Sequence, residues 1–199
     1  MSVNLDAYAT PADAPATRAA RREALLAQLG WLTVEAEALG PLLRGRPASI
    51  LTGRPGPDAL SIHETFGLLA ALDREVHTPQ VARMLSENAP TLSRPQEAAL
   101  VEGNAWNDTP LETLLASMRD AREALIAPLA EAPVEVWGRT ALLPAAPSAP
   151  AGSDDGTPET ITLATYALRI CQHDADRLRD LAYRLHESKL TNRAEDLPK

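Results

Sequence analysis

The chain is a succession of segments in which apolar residues recur at helical spacing, separated by stretches rich in proline and glycine. Spacings of three and four residues are typical of amphipathic helices that pack on a common core. Four segments are long enough for main helices, so the pattern predicts an all-α four-helix bundle. No alternating run is long enough to argue for a sheet. The four predicted helices span about 17–39, 61–85, 110 to either 128 or 133, and 157–188.

Local residues predict where these helices begin and end. Ser61 followed by Glu64 is a capping box at the start of the second helix. Pro79 predicts a kink or a new turn within that helix, because proline removes a backbone donor. The predicted boundaries of the other helices rest on an end at Gly40 and Pro41, an Asp108 or Thr109 cap before Pro110, an end at Pro128 or Pro133, and a Thr157-Pro158-Glu159 cap.

Three connections separate the predicted helices. Residues 44–60 hold repeated glycine and proline and predict a loop. Residues 89–108 predict an irregular crossover between the second and third helices, with one short helix near 95–101. The segment 143–158 is rich in Pro, Gly, Ser and Asp, which makes it the best candidate for a mobile loop.

Composition narrows the class of protein. The chain has 199 residues, of which 45% are hydrophobic, and we expect residues 1–199 to form a single domain with a core over about 17–188. A net charge of −8 argues against a broad nucleic-acid surface. One cysteine excludes an intramolecular disulfide. Together with the lack of an apolar leader or of a 20-residue apolar run, this predicts a cytoplasmic protein with no membrane partner.

Familiar catalytic motifs are incomplete in this sequence. His63-Glu64 begins like the His-Glu-x-x-His zinc motif, but Gly67 stands where the second histidine would be. Cys171 lies on the apolar stripe of the last helix, which favours a buried, inert thiol. His63, His77 and His186 are predicted to be surface residues without a role.

The segment around His173 is more informative. His173 and Arg177 are four residues apart, so both project from the helical face that also carries Tyr166 and Ile170. Two histidines at this spacing would bind a divalent metal, whereas an arginine repels one. A lone histidine beside an apolar stripe is more often structural.

The chain resembles the DinB/YfiT-like superfamily over roughly residues 17–186. Three pieces carry the resemblance, in the family's order and spacing. They are Leu60-Ser61-Ile62-His63-Glu64, Val134-Glu135-Val136-Trp137-Gly138-Arg139, and His173-Asp174 followed by Leu178. The resemblance implies a four-helix bundle with a long crossover between helices 2 and 3. It also implies relatives described as metal-dependent hydrolases, or as thiol-dependent enzymes such as mycothiol-dependent maleylpyruvate isomerase and bacillithiol transferases.

The family's metal ligands are three histidines, one on the second helix and two on the last. Carried onto this chain, their positions are Leu68, His173 and Arg177, so that only His173 is retained. The resemblance therefore implies a degenerate metal site and no cofactor. Binding of zinc, nickel or manganese, at a site rebuilt from His173, Asp174, Asp176 and Glu64, is a less favoured alternative.

Two arrangements of Arg177 stay open from sequence. Glu64 and Glu75 lie four residues before and seven after Leu68, so one of them could pair with Arg177 across the bundle, because a buried guanidinium needs a partner. Alternatively, Arg177 reaches solvent while Leu68 and Ile170 fill the pocket. The predicted pocket residues are Leu68, Arg177, Glu64, Glu75, Tyr166 and Ile170.

The leading functional hypothesis is a DinB-like protein without a metal, acting as a small-molecule-binding or stress-associated protein of unknown activity. The sequence identifies no catalytic residue. The enzyme alternative is a divalent-metal-dependent thiol S-transferase or hydrolase with altered ligands. A third hypothesis is a structural homodimer, and a homodimer is also the expected partner under the other two.

Overall fold

The structure, a computed structural model, describes residues 15–57, 59–145 and 158–195. The side chains described are those of 17–57, 59–145 and 158–185. The helices are α1 (Pro15–Leu43), α2 (Ala48–Thr52), α3 (Ile62–Ala71), α4 (Thr78–Ser86), α5 (Glu97–Glu102), α6 (Leu111–Glu131) and α7 (Leu163–Glu195). A π-helical turn, Leu72–His77, joins α3 to α4, and 3-10 turns lie at Trp106–Asp108 and Val134–Gly138.

Four long elements form the bundle that the sequence predicts. Helix α1 packs on α6 and α7, and α3 packs on α6 and α7. All ten residues of α3 are buried, which marks it as the central helix. Gly67 permits this packing, because a Cβ there would lie 2.3 Å from a ring carbon of Trp106. Among the described residues, no helix is long and apolar enough to cross a membrane.

The predicted start of the second helix is confirmed. The Ser61 hydroxyl accepts the backbone N–H of Glu64 at 3.0 Å, and the Glu64 carboxylate accepts the backbone N–H of Ser61 at 2.8 Å. Pro79 stands in the first turn of α4, directly after the π-helical turn, as a new turn requires. The short helix predicted in the crossover is present as α5.

The predicted end of α1 and the predicted cap residues of α6 are wrong. Helix α1 continues through Gly40 and Pro41 to Leu43, because a proline this close to the C-terminus disturbs only the last turn and Leu43 is fully buried. Helix α6 continues past Pro128 and ends at Glu131, two residues before Pro133, so the second of its two predicted ends is correct. Its N-cap is Pro110, whose carbonyl accepts the N–H of Thr113 at 3.0 Å, and neither predicted cap side chain is used.

A small antiparallel sheet was not predicted. Strand β1 (Thr140–Leu143) pairs with β2 (Glu159–Thr162) in the register Thr140↔Thr162. The last helix therefore begins at Leu163, and Thr162 caps it by accepting the N–H of Thr165 at 3.1 Å. Most of the predicted mobile loop, residues 146–157, lies outside the described residues.

The crossover is fixed to this sheet. The N–H of Leu92 donates to the carbonyl of Leu142 at 2.8 Å, and the N–H of Leu142 donates to Pro90 at 2.9 Å. Arg94 adds a hydrogen bond from its Nε to the carbonyl of Pro144 at 2.8 Å. These contacts hold the crossover, and α5 with it, beside the middle of α7.

Candidate functional site

Two groups of charged side chains meet in the middle of the bundle. The first, here the core cluster, consists of Asp73, Arg122 and Asp174, which come from the π-helical turn, α6 and α7. Arg122 donates from Nε to Asp73 at 2.7 Å and from Nη2 to Asp174. Each of the three residues is less than 5% exposed. The core cluster therefore joins three bundle elements through one guanidinium.

Burial and charge determine the protonation of the core cluster. Burial raises the pKa of Asp73 to about 7, against the attraction of Arg122. Burial also tends to raise the pKa of Asp174, but the charge of Arg122 and a hydrogen bond from His173 outweigh it and hold that pKa below the ordinary value. For Arg122, the two carboxylates outweigh burial and raise the pKa. One carboxylate is thus held ionised, while the other titrates near neutral pH.

The second group, here the pocket cluster, consists of Glu97 on α5 with His173 and Arg177 on α7. His173 Nε2 lies 3.0 Å from Glu97 Oε1, and Arg177 Nη2 donates to Glu97 Oε2. His173 Nδ1 faces Asp174 Oδ1 at 3.3 Å, which connects the pocket cluster to the core cluster. The three side chains are each about one-third exposed. Glu97 therefore holds the crossover to the last helix.

The predicted partners of Arg177 are wrong, although the arginine is paired. Glu64 is occupied by Arg54, which donates from Nη2 at 2.7 Å, and by the α3 cap. Glu75 is about half exposed, next to Arg74. The π-helical turn explains the second error, because its wider turn rotates Glu75 away from the face of Leu68. Sequence reasoning missed Glu97, the actual partner.

Two cavities flank Glu97. The larger, here the Leu68 cavity, has a volume of about 400 Å³ and is lined by Leu68, Arg177, Arg54 and apolar residues of α5. The smaller, here the Tyr166 cavity, has a volume of about 170 Å³ and is lined by Tyr166, Ile170, His173, His77 and Arg94. The structure thus separates the predicted pocket residues: Leu68 and Arg177 line one cavity, Tyr166 and Ile170 the other. Glu64 and Glu75 line neither of these two cavities.

The prediction that His63 and His77 are surface residues is wrong. His77 is buried, and its Nδ1 is hydrogen-bonded to the Tyr166 hydroxyl at 2.8 Å. Burial lowers the pKa of His77 to about 4, so its ring is neutral at pH 7. His63 is buried in the first turn of α3. The side chain of His186 lies outside the described part of the chain.

The pKa values of His173 and Cys171 are both raised, for different reasons. Burial opposes charge on His173, but hydrogen bonds with Asp174 and Glu97 outweigh it and raise the pKa to about 9. His173 is therefore an imidazolium at pH 7. Burial raises the pKa of the Cys171 thiol to about 12, and the thiol is fully buried as predicted. Cys171 is protonated at neutral pH, which removes its nucleophilic form.

The fold is similar to that of a protein of known structure. YfiT from Bacillus subtilis matches with a TM-score of 0.69 over 84% of this chain and 87% of its own, at 14% identity. The chain has the YfiT fold. YfiT is described as a probable metal-dependent hydrolase with an unusual four-helix bundle topology. No protein-family model and no curated protein matches the sequence.

The YfiT fold confirms the predicted bundle with its crossover. The residues at the three positions where the family resemblance places metal ligands lie around Glu97. Leu68 offers only methyl groups, Arg177 is a cation, and both nitrogens of His173 face carboxylates. In the part of the chain that the structure describes, no three His, Cys, Asp or Glu side chains are grouped as metal ligands.

Proposed function

We propose that this chain is a small-molecule-binding protein of the YfiT fold, in which the pocket cluster takes the place of a metal ion. The observation that carries the proposal is the position of Glu97. Its carboxylate contacts His173 through one oxygen and Arg177 through the other. The family resemblance places two metal ligands at these positions of the last helix. Here a carboxylate from the crossover neutralises two fixed cations instead.

The donor chemistry at these positions does not suit a divalent metal. A metal ligand must offer a lone pair, and an imidazolium has none. At neutral pH a metal would therefore have to displace a proton from His173, whose pKa is raised to about 9. It would also have to approach the guanidinium of Arg177, which remains charged. The pocket cluster supplies its own positive charge, so no step of a metal-dependent reaction is assigned to it.

The protein can still bind a small molecule, because the pocket cluster leaves open space on both of its sides. The Leu68 cavity and the Tyr166 cavity lie on its two sides and share Glu97 in their walls. Concave sites with an apolar lining and a few fixed polar groups are typical of small-molecule binding. The ion pairs hold these polar groups in place before a ligand arrives, which lowers the entropy cost of binding.

The experiment that tests the proposal is metal analysis of untagged protein purified without a chelator. We expect far less than one zinc, nickel or manganese ion per chain. The variant Leu68→His/Arg177→His restores three histidines and is expected to bind zinc stoichiometrically. Arg177→Gln is the matched control, because it removes the cation without adding a ligand, and it should bind no zinc.

Stoichiometric metal in the wild-type chain would contradict the proposal. A folded double variant that binds no zinc would also contradict it, because the pocket cluster would then not occupy the metal position. Circular dichroism establishes that each variant is folded before its metal content is compared.

A further inference from the structure

We propose that the Tyr166 cavity binds a small organic acid. The carboxylate of this ligand pairs with Arg94, and its apolar body lies among Leu72, Leu143 and Ile170. This inference deepens the proposed function and rests on it, since it names the class of ligand. It also adds Arg94, a residue that neither the sequence motifs nor the pocket cluster includes.

Charge is the first observation. The protein has a net charge of −8, so most of its surface repels anions. The walls of the Tyr166 cavity are different: they carry Arg94, Arg169 and His173 against the single acid Glu97. Arg169 is paired with Glu159 at 2.5 Å, and His173 is engaged by the two acids already described. Arg94 is thus the cation of the cavity wall that no carboxylate among the described residues neutralises.

Among the described residues, one edge of the Arg94 guanidinium has no partner. Its Nε donates to the carbonyl of Pro144, which fixes the side chain beside β1. Within the described residues, neither of its Nη atoms has a hydrogen-bond partner and no carboxylate pairs with it. A guanidinium fork of this kind matches the two oxygens of a carboxylate. The anchoring bond to Pro144 means that little side-chain entropy remains to be lost on binding.

The rest of the cavity suits an apolar body with one polar end. Leu72 and Ile170 are buried, and Leu143 closes the side formed by β1. At the inner end, His77 uses Nδ1 for the Tyr166 hydroxyl, so that Nε2 has no hydrogen-bond partner among the described residues. A neutral imidazole there can exchange one hydrogen bond with a ligand but brings no second charge.

Size restricts the class further. Sites for drug-sized ligands have volumes of about 300–1,000 Å³. The Tyr166 cavity, at about 170 Å³, is smaller. A monocyclic or short-chain acid fits this volume, whereas a nucleotide or a peptide does not.

Benzoate is a suitable probe because it combines a carboxylate with a rigid apolar ring. We expect benzoate to bind the wild-type chain, measured by amide shifts in a titration that follows Leu143 and Ile170. Benzamide and benzylamine, which have the same ring without the negative charge, should bind at least about tenfold more weakly, a ratio equivalent to 1.4 kcal/mol.

Variants locate the interaction. Arg94→Gln should weaken benzoate binding at least about tenfold, a ratio again equivalent to 1.4 kcal/mol. Arg94→Lys keeps the charge but not the guanidinium fork, so its affinity for benzoate should lie between those of the wild type and Arg94→Gln. Arg46→Gln is the matched control, because Arg46 also donates its Nε to a backbone carbonyl but lies outside both cavities. It should bind benzoate like the wild type.

The outcomes separate this inference from the proposed function. If benzamide binds as tightly as benzoate, or if Arg94→Gln has no effect, the carboxylate assignment is wrong. If benzoate does not bind at 10 mM (on the order of −3 kcal/mol or weaker), the ligand class is wrong. Stoichiometric metal in the wild-type chain would instead contradict the proposed function, whether or not benzoate binds.

Discussion

The core cluster and the pocket cluster use the same chemistry, an arginine shared with carboxylates, in two different surroundings. In the core cluster, Arg122 is 4% exposed and its partners Asp73 and Asp174 are buried as deeply. In the pocket cluster, Arg177 and Glu97 are each about one-third exposed and lie between two cavities. The two clusters are connected through His173 and Asp174. Similar ion pairs therefore serve different roles according to burial.

The degree of burial determines which cluster a ligand or a mutation can reorganise. A deeply buried charge that loses its partner has no water to replace it, so the core cluster must stay complete. The partly exposed pocket cluster exchanges protein contacts for water at a small cost. The core cluster fixes how the helices meet, whereas the pocket cluster leaves a site that can change its occupant.

The largest expected effect comes from breaking the core cluster. Arg122→Met leaves two buried carboxylates without their cation and should lower the free energy of unfolding by about 3–5 kcal/mol. Urea denaturation measures this change. The triple variant Arg122→Met/Asp73→Leu/Asp174→Leu removes all three charges and should recover most of the loss. A loss below about 1 kcal/mol in the single variant, the range of exposed pairs, would show that the core cluster is not structurally required.

A change of pH tests the protonation of His173 in the pocket cluster. His173 has a pKa of about 9 in the folded chain against about 6.5 unfolded. Between these values the folded state holds more protons, so the stability from His173 is complete below about pH 6.5 and is lost as pH rises to about 9. His173 therefore makes the free energy of unfolding fall by at most about 1.4 kcal/mol per pH unit in this range, and by less after solvent screening.

Urea denaturation at several pH values between about 6.5 and 9 measures this slope. His173→Gln should show a smaller decline of stability over that range than the wild type. Identical declines would mean that His173 gains no proton affinity on folding.

The smallest of these effects is expected for the acid that holds the crossover. Glu97→Gln should lower the free energy of unfolding by about 1 kcal/mol, because its contacts are partly exposed to solvent. Glu102→Gln is the matched control, since Glu102 is an exposed acid of the same helix α5. Thermal unfolding measures both variants. Equal effects would show that the contacts of Glu97 with His173 and Arg177 do not stabilise the fold.

Local signals in the sequence predicted much of the fold. The capping box at Ser61 and Glu64 is formed within one helical turn, so its residues alone determine it. The sheet was not predicted, because β2 is defined by pairing with β1, some twenty residues earlier, and not by its own pattern. The same reason explains the wrong start of α7.

The site was predicted less completely because its contacts are long-range. Glu97 meets His173 across 76 positions of sequence, and an acid on a short helix carries no sign of that partner. The core cluster did leave a signal. Arg122 stands within the apolar stripe of the third predicted helix, between Met118 and Leu125, and Asp73 lies one turn after Leu69. A charge on a buried stripe requires a buried partner.

The central claim, that Glu97 with His173 and Arg177 takes the place of a metal, is tested most directly by anomalous diffraction from crystals of the wild-type chain soaked in zinc at neutral pH. We expect the Glu97 carboxylate between His173 and Arg177, with no anomalous peak within reach of His173 Nε2. A peak at about 2.0–2.1 Å from that nitrogen, with Arg177 displaced, would contradict the account.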